Sequence, residues 1–432
     1  MRLNIVHPGA DELHYEIRDI ADFGHGIAGT GVEIIWENIG DPVAKGEQVP
    51  DWIKQIVSEA ATKNEAYAYS PTKGLIQTRE FLSQKRTKET GNDLSPDDII
   101  FFNGLGDAIT KIYTWLNPIA RVLGPCPAYP THSSVEAAHG RSFHLTYQLD
   151  PENSWLPDMA DVRNKVKYNP NIGALLIINP DNPTGIVYPR EILEEFVAIA
   201  KEFDLFLIAD EIYANLVFSG KEFTSLASVT GDVPTIIMRG LSKEVPWPGS
   251  RCGWIECYDR DKDSQFSRYV RTVLEAKMIE VCSTTLPQLV LPEILSHKSY
   301  PKYLTERTAH YEKRADQLAE AVSKLPGVNF TKPQGAFYAT ITADKKVFEA
   351  AIAGLKPRNT KASQILDEAL QKVPKSQIDK RFCYALMAST GLCVVPLSGF
   401  NSETPGFRMT LLEQSDQKFT TILDILKQVF KN

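Results

Sequence analysis

The chain has 432 residues, 43% of them hydrophobic and 23% charged, with a formal net charge of -7. That length exceeds one ordinary hydrophobic core, so at least two domains are expected. The composition is that of a globular protein, and mild acidity without a basic run argues against a nucleic-acid surface.

Residues 1 to about 35 include Gly24, Gly26, Gly29 and Gly31 and read as an irregular arm lying over something else. The first residues carry charges and a proline where a secretory signal needs an apolar run. No stretch approaches the ~20 apolar residues of a membrane span. The six cysteines, Cys126, Cys252, Cys257, Cys282, Cys383 and Cys393, show no C-x-x-C spacing and no accompanying histidine pattern. Free thiols, no metal and a cytoplasmic location are therefore expected.

From about residue 73 the pattern becomes α/β. Residues 99–102 read as a strand and 107–116 as a helix. Residues 173–178 form a continuous apolar run that stops at Asn179-Pro180. Residues 190–203 place apolar side chains at Ile192, Leu193, Phe196, Val197 and Ala200, a helical spacing. Residues 205–209 and 235–238 are further apolar strands. Such strands, separated by helices, predict a mostly parallel sheet covered on both faces. After about residue 300 the texture changes: a long helix over 303–325, shorter strands at 336–341, 392–395 and 407–411, and a helix from about 414 to 430. The expected division is an arm with part of a small domain over 1–50, a large α/β domain over 51–300 and a smaller α+β domain over 301–432.

In an open α/β sheet the ligand sits beyond the carboxyl ends of the strands. Four segments there carry chemistry. Asn179-Pro180-Asp181-Asn182-Pro183-Thr184-Gly185 is a rigid turn that presents an amide at Asn182; read alone, it is a well-made turn and no more. Asp210-Glu211-Ile212-Tyr213 places an acid at the end of a buried strand, either as a helix cap or paired with a cation. Arg239-Gly240-Leu241-Ser242-Lys243 puts a lysine just past another strand and ahead of a rigid Pro-Trp-Pro-Gly segment, with Arg251 eight residues on. Asn103-Gly104-Leu105-Gly106-Asp107 joins a strand to a helix start that can bind an anion. It is a poor dinucleotide fingerprint, since Ile109 stands where the third glycine would be, and so a dehydrogenase is disfavoured.

Taken together, these motifs resemble the class I/II aminotransferases, enzymes dependent on pyridoxal 5′-phosphate (PLP) with the aspartate aminotransferase fold. The resemblance runs from Asn38-Ile39-Gly40-Asp41-Pro42 to Phe407-Arg408-Met409-Thr410. The segments Tyr15-Glu16-Ile17-Arg18-Asp19 and Gly240-Leu241-Ser242-Lys243 look most like the alanine and tyrosine aminotransferase branch. The implied fold is the PLP-dependent transferase fold, with a mostly parallel seven-stranded sheet between helices plus a smaller α+β domain.

The resemblance also implies roles. Lys243 corresponds to the lysine that forms a Schiff base with PLP and shuttles the proton. Asp210 corresponds to the acid that holds the pyridine nitrogen protonated. Asn182 and Tyr213 correspond to the donors to the ring phenolate. Arg251, Ser242 and the backbone at Leu105, Gly106 and Asp107 resemble the phosphate site, and Tyr129 the aromatic stacked on the ring. Arg408 corresponds to the arginine that grips the substrate α-carboxylate with a forked pair of hydrogen bonds, with Gly40 beside it. Tyr69 resembles the tyrosine that reaches the phosphate of a neighbouring subunit, which implies a homodimer with shared active sites. One departure stands out: Gly240 occupies a position where many relatives place a phosphate-binding serine. The implied activity moves the amino group of alanine, or of another neutral, aromatic or acidic amino acid, to a 2-oxo acid such as 2-oxoglutarate. A PLP-dependent C–S lyase, synthase or decarboxylase is the alternative on the same fold. A non-catalytic ligand-sensing module is a further one, but the match begins too early to leave room for a DNA-binding unit.

Overall fold

The computed structural model describes residues 3–431 except His14. Its centre is an eight-stranded sheet: β1 (Ile99–Asn103), β2 (Arg121–Cys126), β3 (Thr146–Asp150), β4 (Leu156–Pro157), β5 (Ile172–Ile178), β6 (Phe206–Asp210), β7 (Thr235–Gly240) and β8 (Cys252–Tyr258). The spatial order is β1-β8-β7-β6-β5-β2-β3-β4. Strands β7, β6, β5, β2 and β3 run parallel, β8 is antiparallel to both β7 and β1, and β4 is antiparallel to β3. The expected count of seven is corrected to eight by β4, a two-residue edge strand that carries no apolar run for the sequence to announce.

The apolar runs become central strands because both faces of the sheet are covered. Leu175, Ile177, Leu207, Ala209 and Ile237 pack into one core, and Ala174, Leu176, Ile208, Ile236 and Met238 into the other. The consequence for function is directional. β1, β2, β5, β6 and β7 all end on one edge of the sheet, and β8 starts there.

A second, four-stranded sheet holds Val328–Phe330, Tyr338–Ala343, Gly406–Thr410 and Val395–Pro396 in that order, all antiparallel. The expected strand over 392–395 is two short pieces with different partners, because Leu392–Cys393 pairs in parallel with Ile35–Trp36. The expected irregular arm needs correction as well. Glu16–Ala28 is an α-helix despite Gly24 and Gly26. Its stripe of Ile17, Ile20, Ala21, Gly24 and Ile27 is buried, Phe23 stacks on Tyr384 at 4.2 Å, and Glu16 pairs with Lys380. Tertiary packing here overrides poor intrinsic propensity. The N-terminal segment is thus built into the C-terminal part of the fold. Among the described residues no helix is long and apolar enough to cross a membrane.

Candidate active site

A cavity of about 290 Å³ opens at the carboxyl edge of the sheet. The strand directions deliver Leu105 and Gly106 after β1, Tyr129 after β2, Asn182 after β5, Asp210 at the end of β6 and Tyr213 after it, Ser242 and Lys243 after β7, and Arg251 just before β8. All nine line the cavity. They span almost 150 positions in the sequence and meet because the parallel strands end together.

At one end the cavity is built for an anion. Gly104 takes φ +81°, and the helix Leu105–Thr114 begins directly after it, so its first amides point outward. A Cβ at Gly104 would lie 2.3 Å from the Arg251 guanidinium, so the arginine's approach requires glycine there. Arg251 donates to Pro248 O at 3.1 Å and to Asn103 O at 3.3 Å. Asp107 behaves differently from the sequence expectation. It does not line the cavity, its amide donates to Gly104 O at 3.2 Å, and its carboxyl faces Lys111 and Lys277. The glycine at 240 is also explained: a Cβ there would lie 2.8 Å from Cys252 O on β8. Ser242 is the serine that lines the cavity.

Deeper in, Asp210 accepts from Ile212 N at 3.1 Å and faces His132 Nε2 at 3.3 Å. The other ring nitrogen of His132 meets Tyr113 Oη at 3.2 Å. Tyr213 donates to Tyr338 Oη at 3.1 Å, and burial raises the Tyr213 hydroxyl well above its ordinary range, so it keeps its proton. Tyr129 Oη lies 3.5 Å from Tyr15 Oη, which brings the N-terminal segment to the rim.

Arg408, on the second sheet, is 1% exposed. It donates to Asn182 Oδ1 at 3.1 Å and to Asn38 O, while its guanidinium lies over the rings of Tyr338 and Phe400 at 4.4 and 5.0 Å. Its Nε is buried with no hydrogen-bond partner, donor capacity that a carboxylate ligand would satisfy. Lys243 Nζ donates to Gly40 O at 2.6 Å, so the Asn38–Gly40 backbone touches both cations. Behind Lys243, Arg307 donates to the carbonyls of Lys243 and Glu244 at 3.0 and 2.6 Å and fixes the lysine's main chain. Tyr69 lies outside the cavity, 84% exposed.

The residues missed by sequence reasoning are His132, Tyr113, Tyr338 and Arg307. Their polar atoms act across the fold, and none follows a strand end in a way that would mark it. His132 alone gave a signal, lying three residues past Tyr129.

The chain is similar to known proteins in both sequence and fold. A family model described as aminotransferase class I and II matches residues 34–426. An uncharacterized aminotransferase of Methanocaldococcus jannaschii is 50% identical over 428 residues, 99% of this chain and 98% of its own. A glutamate-pyruvate aminotransferase of Escherichia coli is 31% identical over 74% of this chain and 77% of its own. An alanine aminotransferase structure from Pyrococcus furiosus superposes with a TM-score of 0.84 over 98% of both chains at 27% identity.

Proposed function

The chain belongs to the class I and II aminotransferases, and from that membership we propose that its cavity holds PLP on Lys243 and exchanges an amino group between alanine and 2-oxoglutarate. It is an aminotransferase; the cofactor and the substrate pair are the proposal. The observation that carries it is the convergence of Lys243, Asp210, Asn182, Tyr213 and Arg251 on one cavity. That donor set fits PLP. Arg251 and the Leu105 and Gly106 amides suit a phosphate, the Asn182 amide and the protonated Tyr213 hydroxyl suit a phenolate, and the Asp210 carboxyl suits a ring N–H. The substrate pair is supported by the names of the relatives from Escherichia coli and Pyrococcus furiosus.

When bound, PLP supplies the electron sink that lets a bond at the substrate α-carbon break. The residues supply the rest. Arg408 binds the substrate carboxylate through its forked N–H groups and so decides which α-carbon bond faces the ring. Asn182, held by Arg408, couples the carboxylate grip to the cofactor site. Lys243 Nζ, on a main chain that Arg307 fixes, would take the proton from the substrate α-carbon and hold it on the same face for its return. Phe337 backs the Lys243 ammonium, and Tyr338 and Phe400 flank the Arg408 guanidinium.

A homodimer completes the reading. Exposed Tyr67, Tyr69, Met278, Ile279 and Val281 form apolar surface on two segments tied together by Thr285 Oγ1 to Ala68 O at 2.7 Å and Ser70 Oγ to Ser283 O at 3.2 Å. A reducing, cytoplasmic setting is supported by six cysteines that form no disulfide.

The test is a visible absorbance spectrum of the purified protein, titrated with a panel of amino acids. A yellow band that converts to the pyridoxamine form fastest with alanine or glutamate is the expected result, and Lys243→Ala should lack both band and conversion. A band that no amino acid converts would favour a lyase or synthase. No band after adding PLP would overturn the cofactor assignment.

A further inference from the structure

Beneath the phosphate end of the cavity lies a closed ring of alternating charge. Lys111 pairs with Asp107 and, at 2.5 Å, with Glu280. Lys277 pairs with Glu280 at 2.8 Å and with Asp107 at 3.2 Å. Lys277 is wholly buried, with its ammonium 5.5 Å from the centre of the Phe102 ring, a costly placement unless the charge is fully paired. Burial pushes the Asp107 carboxyl up, but Lys111, the Asn103 amide and Lys277 outweigh it and hold the group below its ordinary value.

The ring is wired to the anion site through Asn103. Asn103 N donates to Asp107 Oδ2 at 3.0 Å, its side-chain amide donates to Glu280, and its Oδ1 accepts from Thr284 N at 3.1 Å. The Asn103 carbonyl in turn accepts from Arg251 at 3.3 Å. One residue therefore joins the ring, the start of the Leu105–Thr114 helix and the cavity's arginine. Gly104, Gly106 and Gly240 bring no side-chain donor, so beyond Arg251 and Ser242 the anion site leans on backbone amides. Two lysines against two acids leave the ring near neutral, so its effect is on position more than on attraction.

We propose that the Asp107–Lys111–Glu280–Lys277 ring is a positioning device for the phosphate-binding amides and Arg251, and that it sets the chain's preference for PLP over pyridoxal, which lacks the phosphate. The proposal rests on the reading of the cavity as a PLP site. None of its residues lines the cavity, and they act through Asn103 and the helix start.

The experiment measures dissociation constants of the apoenzyme for PLP and for pyridoxal by absorbance titration, in the wild type, in Lys277→Met and in Glu280→Gln. Lys277→Met removes a buried charge and leaves two acids beside the anion site. It should weaken PLP about tenfold and leave pyridoxal within about twofold. Glu280→Gln, at a partly exposed position, carries little folding risk and should weaken PLP about threefold with pyridoxal again unchanged. A fall in the PLP-to-pyridoxal preference in both variants supports the ring. Equal weakening of both ligands, or no change in either, overturns it. A wild type that binds PLP no better than pyridoxal removes the cofactor reading itself, and that result is visible before any variant is made.

Discussion

Asp210 ends β6, Glu211 directly follows it, and the two are almost equally hidden, at 3% and 2% exposure, yet their surroundings are opposite. Glu211 spends its oxygens on protein: Ser225 Oγ at 2.9 Å, Leu226 N at 2.8 Å and the Arg239 guanidinium at 2.6 Å. Behind it Arg86 spans to Glu256 at 2.9 Å, which in turn takes Trp254 Nε1 and Tyr258 Oη. Asp210 meets one backbone amide and one histidine and otherwise faces the cavity. Burial therefore does not separate a functional acid from a structural one. Hydrogen-bonding capacity left open toward a cavity does.

The comparison breaks most plainly by truncating each acid in turn. Asp210→Ala should cost about a thousandfold in kcat, the size of effect seen when an electrostatic partner of the reacting centre is lost, with little change in Tm. Glu211→Ala leaves Arg239 and Arg86 without their shared acid and should cost about 3–5 kcal/mol of stability. Normal turnover in the first variant, or an unchanged denaturation midpoint in the second, would collapse the distinction.

Asp181 is a third buried acid, one strand over, with neither a cation nor a cavity. Its Oδ2 accepts from Thr184 N at 3.0 Å and Thr184 Oγ1 at 2.5 Å, its Oδ1 has no partner, and burial pushes the carboxyl up to about 7. The folded pKa lies above the unfolded value, so the folded state keeps a proton that the unfolded chain releases. The stability contribution is full below about pH 4, is lost as pH rises through about 7, and is flat above it. Asp181→Asn cannot ionise and should erase that slope, with a gain of a few kcal/mol above neutrality. Denaturant midpoints of both proteins at pH 5 and pH 8 decide it, and parallel curves would mean that the proton is held elsewhere.

Arg408 extends the contrast to cations. Unlike Arg307, which fills its N–H groups with Glu47, Tyr311 and two carbonyls, Arg408 keeps Nε free. Arg408→Lys keeps a charge but loses the fork. It should lower kcat/KM about a hundredfold, the worth of one or two charge-assisted hydrogen bonds, with the rise in KM dominant. An unchanged KM would move the substrate carboxylate elsewhere.

The sequence made the parallel strands and the residues after them readable, because a strand buried on both faces is a continuous apolar run and a ligand site follows from its direction. That direction singles out the segments that hold Asn182, Asp210 and Lys243, whereas their individual roles, and that of Arg251 ahead of β8, come from the resemblance. The Glu16–Ala28 helix was not, since its glycines mask a stripe that only packing against Tyr384 and its neighbours makes helical. The resemblance implies a role at the anion site for the Asp107 backbone, while its side chain turns to Lys277, more than 150 positions away, and no local pattern announces such a partner. His132 left only its position three residues past Tyr129 as a trace, because its partners Asp210 and Tyr113 are remote in sequence.

His132 sharpens the comparison at its smallest scale. Burial raises the Tyr113 hydroxyl well above its ordinary range, so it remains a donor, and its neighbour at 3.2 Å is His132 Nδ1. With Nδ1 accepting, Nε2 carries the hydrogen and donates to Asp210 at 3.3 Å. That donor fixes the carboxyl's orientation but leaves the cavity-facing side open. His132→Leu should therefore lower kcat/KM about tenfold, the worth of one buried hydrogen bond, far short of the loss in Asp210→Ala. His132→Gln, which keeps a donor, should recover part of it. Equal rates in the leucine variant and the wild type would show that Asp210 needs no second partner, and that its open side alone separates it from Glu211.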